Sequence, residues 1–147
     1  MKIADILRSK GSKVVTVQPE ATIKTAIQLL EEFNIGGLVV VDDNYRIVGM
    51  ITERDIIRYA ACEQPDFDML VNQIMTTNII LGVPQDDINS VAHTMTEKRF
   101  RHLPVIDKGK LVGILSLGDI VKAQRDRYEG EIHTLQLQII ASEEVGY

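Results

Sequence analysis

Two pairs of side chains share one spacing. Thr52 stands three residues before Asp55, and Ser116 three residues before Asp119. An apolar run precedes each hydroxyl residue, at 47–51 and at 111–115, and an amphipathic pattern follows each acid. Both pairs therefore fall where a strand hands over to a helix. At such a junction, free backbone N–H groups and short polar side chains face outward together. A carboxylate placed there can accept from both hydroxyls of a ribose, as an acid does in dinucleotide folds. The hydroxyl and the N–H groups of the helix start suit a phosphate or ribose oxygen. The same residues also read as plain helix caps, since an acid three residues after Thr52 makes a capping box.

A second group of polar residues lies just before an apolar run of the second half. Arg99, Arg101 and His102 fall within four residues, and guanidinium groups pair bidentately with phosphate oxygens. Their counterparts in the first half, Gly36 and Gly37, carry no charge, and Arg54 compensates only from the helix start. The two sites are thus expected to differ, the one with Asp119 being the tighter for a ligand carrying phosphate.

The setting of these residues occurs twice. Gly49 matches Gly113, Thr52 matches Ser116 and Asp55 matches Asp119, each 64 residues apart. Upstream the offset is 65, from Pro19 to Pro84, Ile23 to Ile88 and Leu38 to Leu103. One residue is dropped in the turn near Asn44. Ile6-Leu7 matches Ile74-Met75 at an offset of 68. Each copy has an apolar-apolar-Asp turn (Val40-Val41-Asp42, Val105-Ile106-Asp107). Each then has a Val-Gly-apolar-apolar strand and the hydroxyl-x-x-Asp sequence.

In this order and spacing the sequence resembles a tandem pair of cystathionine β-synthase (CBS) domains, the Bateman module, over residues 1–124. The resemblance implies an α/β (α+β) fold of two βαββα repeats related by a pseudo-twofold axis, with strands packed at the centre. The repeats would be 1–62 and 63–124, followed by a helical tail, 125–147. It implies an adenosine-containing regulatory ligand, AMP, ADP, ATP or NAD(H), in the cleft between repeats. Thr52, Asp55, Ser116 and Asp119 would contact ribose or phosphate, and Arg101 and His102 phosphate. The base would lie against the first strand of each repeat, at Thr16 and Leu81. Gly37 and Pro104, at the starts of the paired strands, complete the expected contact set. Pro104 also implies an edge position or a strand start. The resemblance further implies a homodimer.

Composition bounds the remaining classes. A 147-residue chain suits one unit or two small intertwined ones, and a lone half would be marginal, so the halves are expected to share a core. A net charge of −5 gives no reason to expect nucleic acid or a membrane surface as partner. No apolar run approaches the roughly 18–20 residues that span a bilayer, and Asp5 and Arg8 interrupt any secretory-signal core. The single cysteine, Cys62, excludes an internal disulfide and fits a reducing cytoplasm. His93, His102 and His133 lack metal-ligand spacing, Cys62 has no nearby histidine, and no Gly-rich phosphate loop occurs. The chain thus reads as a ligand-sensing module and not an enzyme. Such a module acts on a protein partner that the sequence does not name. The alternative is a structural dimerisation module with vestigial sites.

Periodicity predicts helices at 2–8, from Ile23 to Phe33, at 53–61, 69–75, 88–95 and 119–125. Thr22 and Asp87 are the expected N-caps. Strands are predicted at 14–17, 38–41, 47–51, 78–81, 103–106 and 111–115, and an acidic connector at 62–68. The tail, 126–147, reads as one more helix with a stripe at Tyr128, Ile132, Leu135 and Ile139. It either packs on its own repeat or pairs with a second chain; both readings stand on the spacing alone.

Overall fold

Two antiparallel hairpins carry the fold. In the first, β2 (Gly37–Val41) pairs with β3 (Ile47–Thr52). In the second, β4 (His102–Asp107) pairs with β5 (Lys110–Ser116). Val, Ile and Leu make up at least half of each strand, as suits a pleated, buried surface. The registers slip at equivalent points, between Val40 and Val41 and between Val105 and Ile106. The turns differ. Lys108 and Gly109 both adopt positive φ, 51° and 77°, in a two-residue hairpin connection. The first turn is longer and carries its positive φ, 61°, at Tyr45. The dropped residue of the repeat is this difference in turn length. The structure is a computed structural model that describes residues 1–144.

A helix enters and a helix leaves each hairpin. α2 (Ile23–Phe33) starts at Thr22, whose hydroxyl accepts from Thr25 N at 3.1 Å, and α4 (Ile88–Lys98) starts at Asp87, which accepts from Ser90 N at 3.1 Å. Both expected caps are in place. α3 (Glu53–Ala60) follows β3, and α5 (Leu117–Glu144) follows β5. The short β1 (Thr16–Val17) joins β2 in parallel. The first repeat is thus a βαββα unit, and the second follows the same order with a single bridge at Gly82 in place of its first strand.

Three expectations need correction. Residues 78–81 form no strand; one bridge joins Gly82 to Val105. There, Gly82 N donates to Pro104 O and Ile106 N donates to Gly82 O, both at 2.9 Å. The next rung would need a backbone N–H from Pro104, which has none. Val39 occupies that position in the first repeat, and there the ladder exists. Residues 69–75 form only a 3-10 turn, Val71–Gln73. Their backbone bonds to the 19–23 turn instead: Val71 N donates to Ala21 O at 2.8 Å and Ile23 N to Met69 O at 2.8 Å. Finally, 119–125 and the tail form one continuous helix, α5, because no helix breaker separates them. The last part of the expected tail, 145–147, lies outside the described residues. Within α5, Ile132, Leu135 and Ile139 are each more than half exposed, so the tail does not pack on its own repeat.

The division of the chain is not the division of the core. α1 (Ile3–Lys10) buries Ile3 and Ile6 among Ile88, Met95, Leu103, Leu115 and Ile120 of the second repeat. Val71, with Ile74 and Met75 beside it, packs into the first repeat against Val17, Leu38 and Ile51. Each repeat is closed by the segment that precedes the other. A third cluster joins the two sheets at the centre, with Val39, Val41 and Met50 buried against Leu111 and Ile114. Among the described residues no helix is long and apolar enough to cross a membrane.

The crossing segments come close to two glycines. A Cβ on Gly49 would meet Thr76 O at 2.8 Å and Met75 Sδ at 2.9 Å. A Cβ on Gly113 would meet Leu7 Cδ atoms at 2.8 and 2.9 Å. The first obstacle includes backbone; the second is the end of one flexible side chain. Gly49→Ala should therefore cost about 1–3 kcal/mol, and Gly113→Ala clearly less. Urea denaturation of both variants checks the order.

Candidate functional site

Both acids cap helices. Asp55 Oδ2 accepts from Thr52 N at 2.9 Å and from the Thr52 hydroxyl at 3.1 Å, while Asp55 N donates back to Thr52 Oγ1 at 3.4 Å. Asp119 Oδ2 accepts from Ser116 N at 2.8 Å, and Asp119 N donates to Ser116 Oγ at 3.1 Å. Capping fixes each carboxylate at the rim of a helix start. The strand opposite supports the junction in both repeats: Glu53 N donates to Gly36 O at 3.0 Å, and Leu117 N to Arg101 O at 2.9 Å.

The side chains then depart from the symmetry of the backbone. Asp55 opens onto a cavity of about 810 Å³, within the range of small-molecule sites. Thr52, Thr76, Asn78 and Ile79 line one side, and Arg54, Arg58, Lys98, Arg99 and Arg101 bring five cationic groups to the same space. Thr76 Oγ1 donates to Asp55 Oδ1 at 3.1 Å. The equivalent hollow in the second repeat, about 690 Å³, is lined by Ser116, Gly118, Lys122 and Arg125 but not by Asp119. Lys10 covers that acid. Its ammonium donates to Asp119 Oδ2 at 2.6 Å and to Ile114 O at 2.7 Å.

Arg101 and His102 line both hollows, together with Gly36 and Glu53. The His102 ring lies across Gly36 and Gly37; a Cβ on either would come within 3.1 or 3.3 Å of it. The two glycines therefore do more than end α2. They leave room for a ring that spans the repeats. Burial lowers the His102 pKa; Glu53 opposes this, and nearby Lys10 and Arg101 reinforce it. The shift favours the neutral ring, a donor and acceptor that does not add to the five cationic groups around the cavity.

Of the expected contact residues, the structure brings Thr52, Arg54, Asp55, Arg99, Arg101 and His102 around one cavity. Their placement differs from the expected pairing. The arginines assigned to the Asp119 site face Asp55 as well, and Arg99 lines only the Asp55 cavity. Ser116 borders the smaller hollow. Thr16, Leu81 and Pro104 line neither cavity, and Gly37 lies behind His102. Arg99 ends α4 in the left-handed region, φ 58°, where the first repeat has Asn34 at 51°. That conformation disfavours a residue with a Cβ, so Arg99 stands there at a conformational cost. Thr76, Arg58, Lys98 and Lys10 are absent from the sequence reading. Thr76 follows the matched Ile74-Met75 directly, which is the signal that could have found it.

Two repeated hairpin-and-helix units, back to back, with a carboxylate at each strand-to-helix junction, define the class: an internally duplicated α/β module. The chain belongs to the CBS-domain family, whose sequence profile matches residues 3–62 and 71–126. It is similar to the CBS-domain containing protein ATU1752 from Agrobacterium tumefaciens, 36% identical at a TM-score of 0.81, covering 84% of this chain and 99% of that one. It is also similar to the CBS domain pair of protein MJ0100, solved in complex with 5′-methylthioadenosine and S-adenosyl-L-methionine. There the identity is 27% and the TM-score 0.77, over 86% of this chain and 98% of that one. A third likeness is PAE2072 from Pyrobaculum aerophilum, complexed with AMP. It is 28% identical with a TM-score of 0.73, over 81% of this chain and 89% of that one.

The Asp119 carboxyl carries a pH signature. Burial pushes its pKa up, but hydrogen bonds from Lys10 and the Ser116 backbone outweigh this and hold it below the ordinary 3.8. A depressed folded pKa contributes stability above the unfolded value and loses it as pH falls through the folded one. Wild type should therefore melt higher than Lys10→Met at neutral pH. The gap should close on acidification below the unfolded carboxylate pKa. Thermal melts of both proteins across that range check it.

Proposed function

We propose that the Asp55 cavity binds an adenosine-containing nucleotide, and that occupancy regulates a protein partner. One observation carries this reading: a capped carboxylate, a helix start and a cluster of guanidinium groups converge on a single cavity of ligand size. Asp55 would accept from the ribose hydroxyls, exchanging the Thr76 hydroxyl for them. The N–H groups at the start of α3 and the guanidinium groups of Arg99 and Arg101 would hold phosphate. Asn78, Ile79 and Ile80 offer an apolar and amide wall for the base. The adenosine ligands of related CBS pairs support this class of ligand. Five cationic groups accommodate one phosphate or several, so AMP, ADP, ATP and NAD(H) share the recognition chemistry. The groups gathered at the cavity are suited to recognition, which supports sensing as the role.

A second reading, assembly as the main role, draws support from α5. Tyr128, Ile132, Leu135 and Ile139 present an exposed stripe at spacings of 4, 3 and 4. That spacing fits a seam with the same helix of a second copy. Both readings make the protein a homodimer. Sedimentation should show a dimer at micromolar concentration, and Ile132→Glu/Leu135→Glu should weaken it. A clean wild-type monomer would count against dimerisation.

Calorimetric titration separates the roles at the cavity. Asp55→Ala should abolish the tight AMP event and Asp119→Ala should spare it. Arg101→Ala should weaken AMP about ten- to a hundredfold, the scale of a charge-assisted bond, and leave adenosine nearly unchanged. Arg99→Gly should also weaken AMP while stabilising the chain by about 1 kcal/mol, since glycine adopts the left-handed region freely. Equal losses for AMP and adenosine in Arg101→Ala would mean that the arginine shapes the loop and does not hold phosphate.

A further inference from the structure

The two acids are equivalent in the backbone but not in what covers them. In the first repeat the segment after the 3-10 turn runs extended past β3. Thr76 exchanges two backbone hydrogen bonds with Met50, 2.8 and 2.9 Å long. Asn78 then lines the open cavity beside Asp55. In the second repeat the matching segment is α1, which stays helical through Lys10. A helix cannot offer its backbone to a strand edge, so the bridge to Ile114 is missing. Lys10, at the position matching Asn78 by the offset of 68, replaces it with a side chain.

That substitution has a chemical consequence. The Lys10 ammonium bonds the Ile114 carbonyl at 2.7 Å and the Asp119 carboxylate at 2.6 Å. Ile114 matches Met50, which lines the first cavity, and Asp119 matches Asp55. Both are missing from the lining of the second hollow. Lys10 thus covers the floor of the half-site that a ribose would need. The ion pair is half shielded, with side-chain exposures of 32% and 24%, so solvent weakens it less than it does a fully exposed pair.

We propose that Lys10 is the residue that makes the two half-sites selective: it holds the Asp119 half-site shut against a neutral nucleoside, leaving Asp55 as the acid open to one. This rests on the nucleotide reading of the clefts. A neutral ribose would have to exchange a charge-assisted bond at Asp119 for ordinary hydroxyl bonds. At Asp55 it displaces one neutral hydroxyl.

Adenosine titrated calorimetrically into a set of variants tests this. Wild type should bind one equivalent per chain, lost in Asp55→Ala. Lys10→Met should bind a second equivalent, at an affinity about ten- to a hundredfold above that of the same half-site in wild type. Lys10→Met/Asp119→Ala should return to one. Lys10→Gln, which removes the charge but keeps a polar side chain on the helix, should behave as Lys10→Met; thermal melts establish that both variants are folded. A folded Lys10→Gln that still binds one equivalent overturns the proposal, as does loss of binding in either Lys10 variant, which would make Lys10 a ligand contact. A wild-type event removed by Asp119→Ala overturns it as well. If wild type binds nothing but Lys10→Met gains one event that Asp119→Ala removes, the latch stands and the reading of the Asp55 cavity fails.

Discussion

The closeness of two backbones at Gly49 governs the site. A strand edge there must accept the passing segment 71–77 within a distance that a Cβ would violate. Only that approach lets Thr76 pair with Met50 and reach Asp55. Gly113 faces α1 in the second hairpin, but there it meets only the Leu7 side chain. Because each passing segment precedes the repeat it does not pack into, neither repeat has a complete core by itself. The apolar residues of α1 belong to the second core and those around Val71 to the first. A change in one repeat therefore loads the chain entering the other.

On this shared frame the repeats have diverged at a few positions, each with a physical reason. Pro104 removes the donor that Val39 retains, and a strand becomes a single bridge. Arg99 takes the left-handed helix end that Asn34 fills more comfortably. His102 occupies the space that Gly36 and Gly37 leave empty. The consequence is concentration: Lys98, Arg99 and Arg101 of the second repeat join Arg54 and Arg58 around the acid of the first. The smaller hollow keeps its helix start but has its acid neutralised from within.

The fold was largely legible because its signals are local and repeated. Thr22, Asp87, Thr52 and Asp55 cap the helices that their spacing implies, and the Val-rich runs pair as hairpins. The misread elements were those whose state depends on distant backbone. Residues 69–75 have helical periodicity, yet their N–H groups bond to the 19–23 turn. At the site, the residue types and the junctions could be read, since capping needs only four consecutive residues. Which cations face which acid could not, because that depends on the crossing of the segments in three dimensions. Lys10 illustrates the gap: its contacts with Ile114 and Asp119 lie more than a hundred positions away in the chain.

The continuity of α5 has a mechanical side. The helix begins at the Ser116–Asp119 cap, beside the smaller hollow, and runs unbroken to Glu144. From Arg125 to Glu143 its side chains are exposed, and the overhang, 126–144, extends roughly 28 Å at 1.5 Å per residue. It is a lever whose fulcrum lies at the edge of the cleft. A tilt of only about 10° there would carry the far end through roughly 5 Å, enough to move one helical turn past another. A displacement too small to notice at the cleft thus becomes one that a second protein could feel at the tip.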